Sequence, residues 1–206
     1  MRIVREGIPY ILIPAAITIV LWALGYWYLG LPFVLITAFM CFFFRDPRRV
    51  PPADPNVIVA PADGRVMQIV PLAGEQQNRS TLISIFLSPL DVHINRSPIA
   101  GKITDVSYKS GKFLVAMNDQ ASLINEQNSL TIEGSSVTIV CKQIAGILAR
   151  RIVCWKSKGE QLALGERFGL IKFSSRTDLI LPETVEILVQ KGMRVRGGTT
   201  VVGRIR

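Results

Sequence analysis

Val137-Thr138-Ile139-Val140-Cys141-Lys142-Gln143-Ile144 is a β-branched run of eight residues. It is short for a helix and rich in side chains that suit a pleated, half-buried surface. Comparable runs lie on both sides of it. Upstream are Val57–Ala60, Arg65–Val70, Thr81–Leu87, Gly101–Tyr108 and Leu130–Glu133; downstream are Arg151–Trp155, Gly169–Phe173, Asp178–Leu181 and Thr199–Ile205. Asp-Gly, Ala-Gly, Glu-Gly and Gly-Gly steps punctuate them, as turns between strands do. Beyond residue 45 only Leu114–Ile124 carries a weak helical period. Residues 50–206 are therefore expected to form a mainly β domain, a compact barrel or sandwich.

The N-terminal part reads differently. From Gly7 to Phe44, 38 residues, there is no Asp, Glu, Lys, Arg or His. One continuous helix of that length would reach about 57 Å, whereas the hydrocarbon core of a bilayer is about 30 Å thick. The Gly30-Leu31-Pro32 step is the expected break, because proline lacks the N–H that a continuing helix uses. This predicts apolar segments at about 8–28 and 33–44 within a membrane anchor, residues 1–49. Arg2 and Arg5 flank one end and Arg45, Arg48 and Arg49 the other. That pattern fits a helical hairpin in the cell membrane with both ends, and the β domain, on the cytoplasmic side. Trp22, Trp27 and Tyr28 fall near the turn, where interfacial aromatics gather. A signal peptide has a far shorter apolar region. The sequence leaves open whether the second segment crosses fully.

After the anchor comes the charged, proline-rich linker Arg45-Asp46-Pro47-Arg48-Arg49-Val50-Pro51-Pro52, which cannot be helical throughout. Residues 45–206 hold 22 basic against 14 acidic residues. With an apolar anchor present, an anionic membrane is the partner that such a charge fits best. Nucleic acid is not expected, since no aromatics interleave with basic residues on one element. Cys41, Cys141 and Cys154 have no metal-ligand spacing and cannot all pair, which argues for a reducing compartment and against a disulfide framework, and a single histidine argues against a metal site. Hairpin-like stretches at 97–103 and 191–198 are similar to strands of biotinyl-carrier domains, but no lysine sits at a hairpin tip in the acidic, Met-flanked setting that a carrier wants.

Two places can hold chemistry. The single histidine, His93, lies in Leu87-Ser88-Pro89-Leu90-Asp91-Val92-His93-Ile94-Asn95-Arg96-Ser97-Pro98, just after an apolar run. Carboxylates at Asp91 and in Ala60-Pro61-Ala62-Asp63-Gly64 could orient its ring as acid or base. The second place is Glu166-Arg167-Phe168-Gly169-Leu170-Ile171-Lys172-Phe173-Ser174-Ser175-Arg176-Thr177-Asp178, with Lys172 and Arg176 as candidate phosphate partners.

These landmarks, in this order, resemble the short, membrane-associated (archaeal-type) form of phosphatidylserine decarboxylase over essentially the whole chain. The resemblance rests on Phe43-Phe44-Arg45-Asp46-Pro47, Pro61-Ala62-Asp63-Gly64, Ser88 to Arg96, Asn125-Glu126-Gln127-Asn128 and Arg167 to Phe173 with Ser175-Arg176. It implies conversion of phosphatidylserine to phosphatidylethanolamine and carbon dioxide by a proenzyme that cuts itself between Ser174 and Ser175. Fragments 1–174 and 175–206 would stay together as a heterodimer, with a higher oligomer possible. The serine would become a covalent pyruvoyl cofactor, able to form a Schiff base with the substrate amine and to take up the charge left on decarboxylation. Asp63 matches the family's self-cleavage aspartate. His93 matches the histidine used in decarboxylation, and the separate triad histidine of longer relatives falls on Arg96. His93 then serves both steps, or the base for cleavage is not a histidine.

One departure is plain. The family carries glycine before the reactive serine, where this chain has Ser174. Glycine there permits strained backbone and an unhindered carbonyl. Three readings follow: cleavage still precedes Ser175; the chain is arrested, a lipid-binding protein on a decarboxylase scaffold; or Ser174 attacks the Phe173 carbonyl. A serine-headgroup ether lipid would fit the same chemistry.

Overall fold

The computed structural model describes residues 2–72, 79–112, 124–146, 151–172 and 175–206. The chain divides into two units, Met1–Arg48 and Arg49–Arg206.

The first unit runs β1 (Arg2–Ile3), a 3-10 turn (Arg5–Gly7), α1 (Ile8–Ala23), α2 (Trp27–Phe43) and β2 (Arg45–Asp46). β1 and β2 pair antiparallel, closing the base of a helical hairpin. Arg5–Ala23 is long and apolar enough to cross a membrane, and Trp27–Phe43 is a shorter apolar helix. The turn lies at residues 24–26, ahead of the expected Gly30–Pro32 break. Gly25 adopts φ +81°, its N–H donates to the Trp22 carbonyl, and the Tyr26 N–H donates to the Leu21 carbonyl at 2.8 Å. That is a Schellman cap, which ends a helix wherever glycine can enter the left-handed region.

Pro32 lies inside α2; an apolar helix tolerates one missing N–H when its surroundings re-satisfy the turn. Gly30 has another task. A Cβ there would collide with the Trp22 indole, whose Nε1 donates to the Trp27 carbonyl at 3.0 Å. A Cβ at Gly7 would likewise strike the Phe44 ring. Glycine thus allows close helix approach at both ends of the hairpin. Gly30→Val is expected to lower its stability by about 1–3 kcal/mol through overpacking. Urea titration of tryptophan emission in detergent checks this.

The second unit contains β3 (Val57–Val59), β4 (Gly64–Leu72), β5 (Ser80–Leu87), β6 (Ile94–Arg96), β7 (Gly101–Lys109), β8 (Gln127–Glu133) and β9 (Thr138–Ile144). It continues with β10 (Ile152–Cys154), β11 (Gln161–Leu162), β12 (Arg167–Ile171), β13 (Ser175–Pro182), β14 (Val185–Ile187), β15 (Arg194–Val195) and β16 (Val201–Ile205). The protein is mainly β, with the largest sheet curled into a half-barrel. That sheet has eight strands in the order β11-β7-β8-β9-β13-β5-β4-β15. Two three-stranded sheets, β10-β12-β6 and β14-β16-β3, complete the unit. The helical period at 114–124 falls almost wholly outside the described residues.

Register sets what faces inward. Leu130, Cys141, Leu179, Ile83 and Ile69 lie opposite one another across five strands, and all five belong to or pack on the main apolar cluster. Burial pushes the Cys141 thiol upward, as fits a packing residue. Side chains alternate faces with period two, so the next inward row is Asn128, Gln143, Thr177 and Ile85. One further step along β13 and β5 brings Ser175 opposite Leu87. The inner face turns from apolar to polar toward one end of the sheet, and Ser175 stands at that end.

Candidate active site

Ser175 opens β13, a central strand held by β5 on one side and β9 on the other. Its side chain is fully buried, and Oγ has no hydrogen-bond partner among the described residues. A buried hydroxyl without a partner carries a desolvation penalty of about 1–3 kcal/mol. Such a group marks strain or chemistry.

The polar row beneath it is fully bonded. Asn128 Nδ2 donates to Gln143 Oε1 at 3.0 Å, Gln143 Nε2 to Asn95 Oδ1 at 2.9 Å, and Asn95 Nδ2 to Thr177 Oγ1 at 2.9 Å. This chain ties β6, in a separate sheet, onto β9 and β13. Asn95 thereby lies directly on Thr177. His93 and Ser175 each lie two residues earlier along chains that leave the 171–175 end in the same sense, since the Ile171 N–H donates to the His93 carbonyl at 3.2 Å. His93 and Ser175 therefore lie toward the same end of the domain.

His93 is buried, and its Nδ1 sits 2.9 Å from the Asp91 carbonyl oxygen. A carbonyl only accepts, so Nδ1 carries the proton and Nε2 carries the lone pair of the neutral ring. The turn that carries this carbonyl is closed on itself: the Ser88 N–H donates to Asp91 Oδ2 at 2.9 Å and the Asp91 N–H to the Ser88 carbonyl at 2.9 Å.

Asp63 is committed on both oxygens. Oδ1 accepts from the Gly197 N–H at 2.8 Å, and Oδ2 pairs with Arg49 Nη2 at 2.7 Å. Burial holds its carboxyl above the usual range; Arg49 and the Gly197 N–H pull it back, while Asp91 nearby pushes it further up. Asp63 and Asp91 are thus close enough to sense each other, and Asp63's hydrogen bonds go to Arg49 and Gly197. Arg96 is buried and donates from Nη1 to the Gly165 carbonyl at 3.1 Å. A guanidinium does not lose its proton in proteins, so Arg96 is no base.

Lys172 is buried close to Ser175 in sequence. Arg176 proves unavailable to a phosphate. It is 2% exposed and points to the opposite face, where Nε donates to Asp178 Oδ1 at 2.6 Å and Nη2 to Ser84 Oγ at 2.7 Å. Strand alternation, which sends neighbours 175 and 176 to different faces, is the reason. Phe173 and Ser174 lie outside the described residues. Among the described residues, no group of three His, Cys, Asp or Glu side chains is placed to hold a metal.

Sequence reasoning missed the Asn128–Gln143–Asn95–Thr177 chain. Its signal was present: Gln143 takes the inward phase that Ile139 and Cys141 hold along the same strand.

The fold is a mainly β domain with a buried serine at the start of a central strand, its hydroxyl without a partner among the described residues. The phosphatidylserine decarboxylase profile matches residues 36–203. A phosphatidylserine decarboxylase proenzyme of Solibacter usitatus is 47% identical over 205 residues, covering 99% of this chain and 97% of its own. Those of Carboxydothermus hydrogenoformans and Geobacter metallireducens are 44% and 43% identical, each over 98% of this chain and at least 95% of their own. The chain belongs to the phosphatidylserine decarboxylase family. These relatives are bacterial, and they lend no support to the archaeal-type subfamily.

Proposed function

We propose that this chain is a membrane-associated proenzyme that cuts itself ahead of Ser175 and then converts phosphatidylserine to phosphatidylethanolamine and carbon dioxide. The observation that carries this reading is Ser175 Oγ, buried and without a partner among the described residues. A hydroxyl held this way is free to attack the carbonyl that precedes it, and His93 Nε2 is the lone pair suited to take its proton. Asp63, which senses the Asp91 carboxylate, is assigned the self-cleavage aspartate's part through the resemblance of its Pro61-Ala62-Asp63-Gly64 motif.

The buried serine and the oriented imidazole fit a pyruvoyl group at residue 175. Such a group supplies a carbonyl sink for the charge left when carbon dioxide departs. In that stage His93, after taking a proton from solvent onto Nε2, delivers it to the site that carbon dioxide leaves. The Asn95–Thr177 bond keeps the histidine strand seated on β13, and the apolar rows behind exclude water. With Arg176 turned to the opposite face, Lys172 is the remaining cation that flanks Ser175 in sequence for the lipid phosphate. The apolar hairpin, with basic residues at both of its ends, supports attachment at the cytoplasmic membrane face.

Intact-mass analysis and vesicle assays test the reading. The expected result is two chains, one ending at residue 174 and one beginning at a blocked residue 175, together with carbon dioxide release from phosphatidylserine vesicles. Ser174→Gly is expected to speed the cut, because it frees the preceding carbonyl. A single 22.8 kDa species, inert toward the lipid even after Ser174→Gly, would overturn the proposal. The second reading, an arrested lipid-binding protein, is favoured by Ser174 alone. It predicts that Ser174→Gly creates cleavage and turnover where the original chain has neither.

A further inference from the structure

One end of the β domain carries an exposed apolar tip on each of two neighbouring loops. Leu90 is 64% exposed and Met193 is 42% exposed. Leu90 precedes Asp91, whose Oδ1 lies 3.9 Å from Arg194 Nη1, so the two loops are joined. The Met193 carbonyl accepts from the Val66 N–H at 2.9 Å, and the Gly192 N–H donates to the Val66 carbonyl at 2.7 Å, which fixes the second loop against β4. Gly192 sits at φ +92° and makes its turn. Arg65 lies opposite Arg194 in the ladder, and Arg65, Lys191, Arg194 and Arg196 are all exposed. Between them an apolar groove of about 340 Å³ is lined by Met67, Phe86 and the stems of Arg65 and Lys191. This end is also the Ser175 end, since Leu87, which faces Ser175, leads directly into the Leu90 loop.

Exposed apolar tips ringed by several cations, with one partly buried acidic side chain among them, do not suit open water. They suit the head-group layer of an anionic bilayer, where apolar side chains enter the acyl boundary and cations meet lipid phosphates. We propose that the loops carrying Leu90 and Met193 dock the catalytic domain on an anionic lipid leaflet, with Arg65, Lys191 and Arg194 on the head groups. The groove takes a length of acyl chain. The surface belongs to the β domain and presents its Ser175 end to the lipid. It deepens the lipid-decarboxylase reading and rests on it for its purpose, but its test does not depend on turnover.

The test uses the full-length protein in vesicles. In a Cys41→Ser, Cys154→Ser background, with Cys141 left buried, a polarity-sensitive fluorophore is placed by Leu90→Cys, by Met193→Cys or by Ser135→Cys. Ser135 lies in the β8–β9 turn at the far end of the sheet. Probes at 90 and 193 are expected to brighten, and to be quenched by shallow spin-labelled lipids, in phosphatidylglycerol-containing vesicles but not in pure phosphatidylcholine. The probe at 135 should stay unchanged. Lys191→Gln with Arg194→Gln is expected to raise the anionic-lipid density needed for half-maximal brightening about tenfold. Equal response at 90, 193 and 135, or equal response in zwitterionic vesicles, overturns the proposal. Carbon dioxide release is measured in parallel: turnover without probe burial sinks the docking surface alone, and probe burial without turnover sinks the decarboxylase reading alone.

Discussion

Ser175→Ala is expected to yield one uncut chain with no measurable decarboxylation. Enzymes accelerate their reactions by at least about a millionfold, and the proposed mechanism places the start of that chemistry at residue 175. The structural consequence should run the other way. The hydroxyl removed is buried and has no partner among the described residues, so deleting it relieves a polar group instead of breaking a bond. Thermal unfolding of the alanine variant is expected at or slightly above that of the uncut original. The two readings together separate chemistry from folding. Turnover in Ser175→Ala, or collapse of its fold, would show that the serine does something other than the role assigned here.

The second large effect concerns the opposite face of the same strand. Arg176 and Asp178 are 2% and 1% exposed and meet through two contacts, at 2.6 and 3.2 Å. Removing one partner strands a charge in the interior, which costs about 3–5 kcal/mol. A domain's whole stability is only about 5–15 kcal/mol, so Asp178→Ala should leave the β domain barely folded at room temperature. The paired change Arg176→Met with Asp178→Leu is expected to recover most of the loss, because apolar residues of similar volume replace a buried ion pair well. Urea unfolding followed by circular dichroism measures both. If Asp178→Ala were as stable as the original, the guanidinium would have to be reaching water.

The sequence made the long strands visible, and the reason is local. β4, β5, β7, β9 and β13 are runs of β-branched or alternating residues, and each appears within a few positions of its expected place. β6, β11, β14 and β15 have only two or three residues, too few for any period, and their pairing is fixed by partners far along the chain. The hairpin turn was displaced because Pro32 reads as a breaker while Gly25 gives no signal until its cap is seen. Ser175, His93 and Asp63 were singled out through motif order. Their environment was not legible, because it depends on sheet register. Arg176 looked like a surface cation until alternation placed it inside, and Asp63's partner Arg49 came from a linker whose basic residues were read only as a membrane-topology signal.

β13 pairs along its whole length with β5 and over five positions with β9, in the middle of the large sheet. A cut just ahead of it would release no piece of the molecule. The C-terminal fragment would remain interleaved between two strands of the longer one, and subunit exchange between mature molecules would require the barrel wall to open. Maturation would then run in one direction: fragments produced apart and mixed would have to rebuild the sheet's centre before its flanks, whereas the single chain forms its wall first and is severed afterwards.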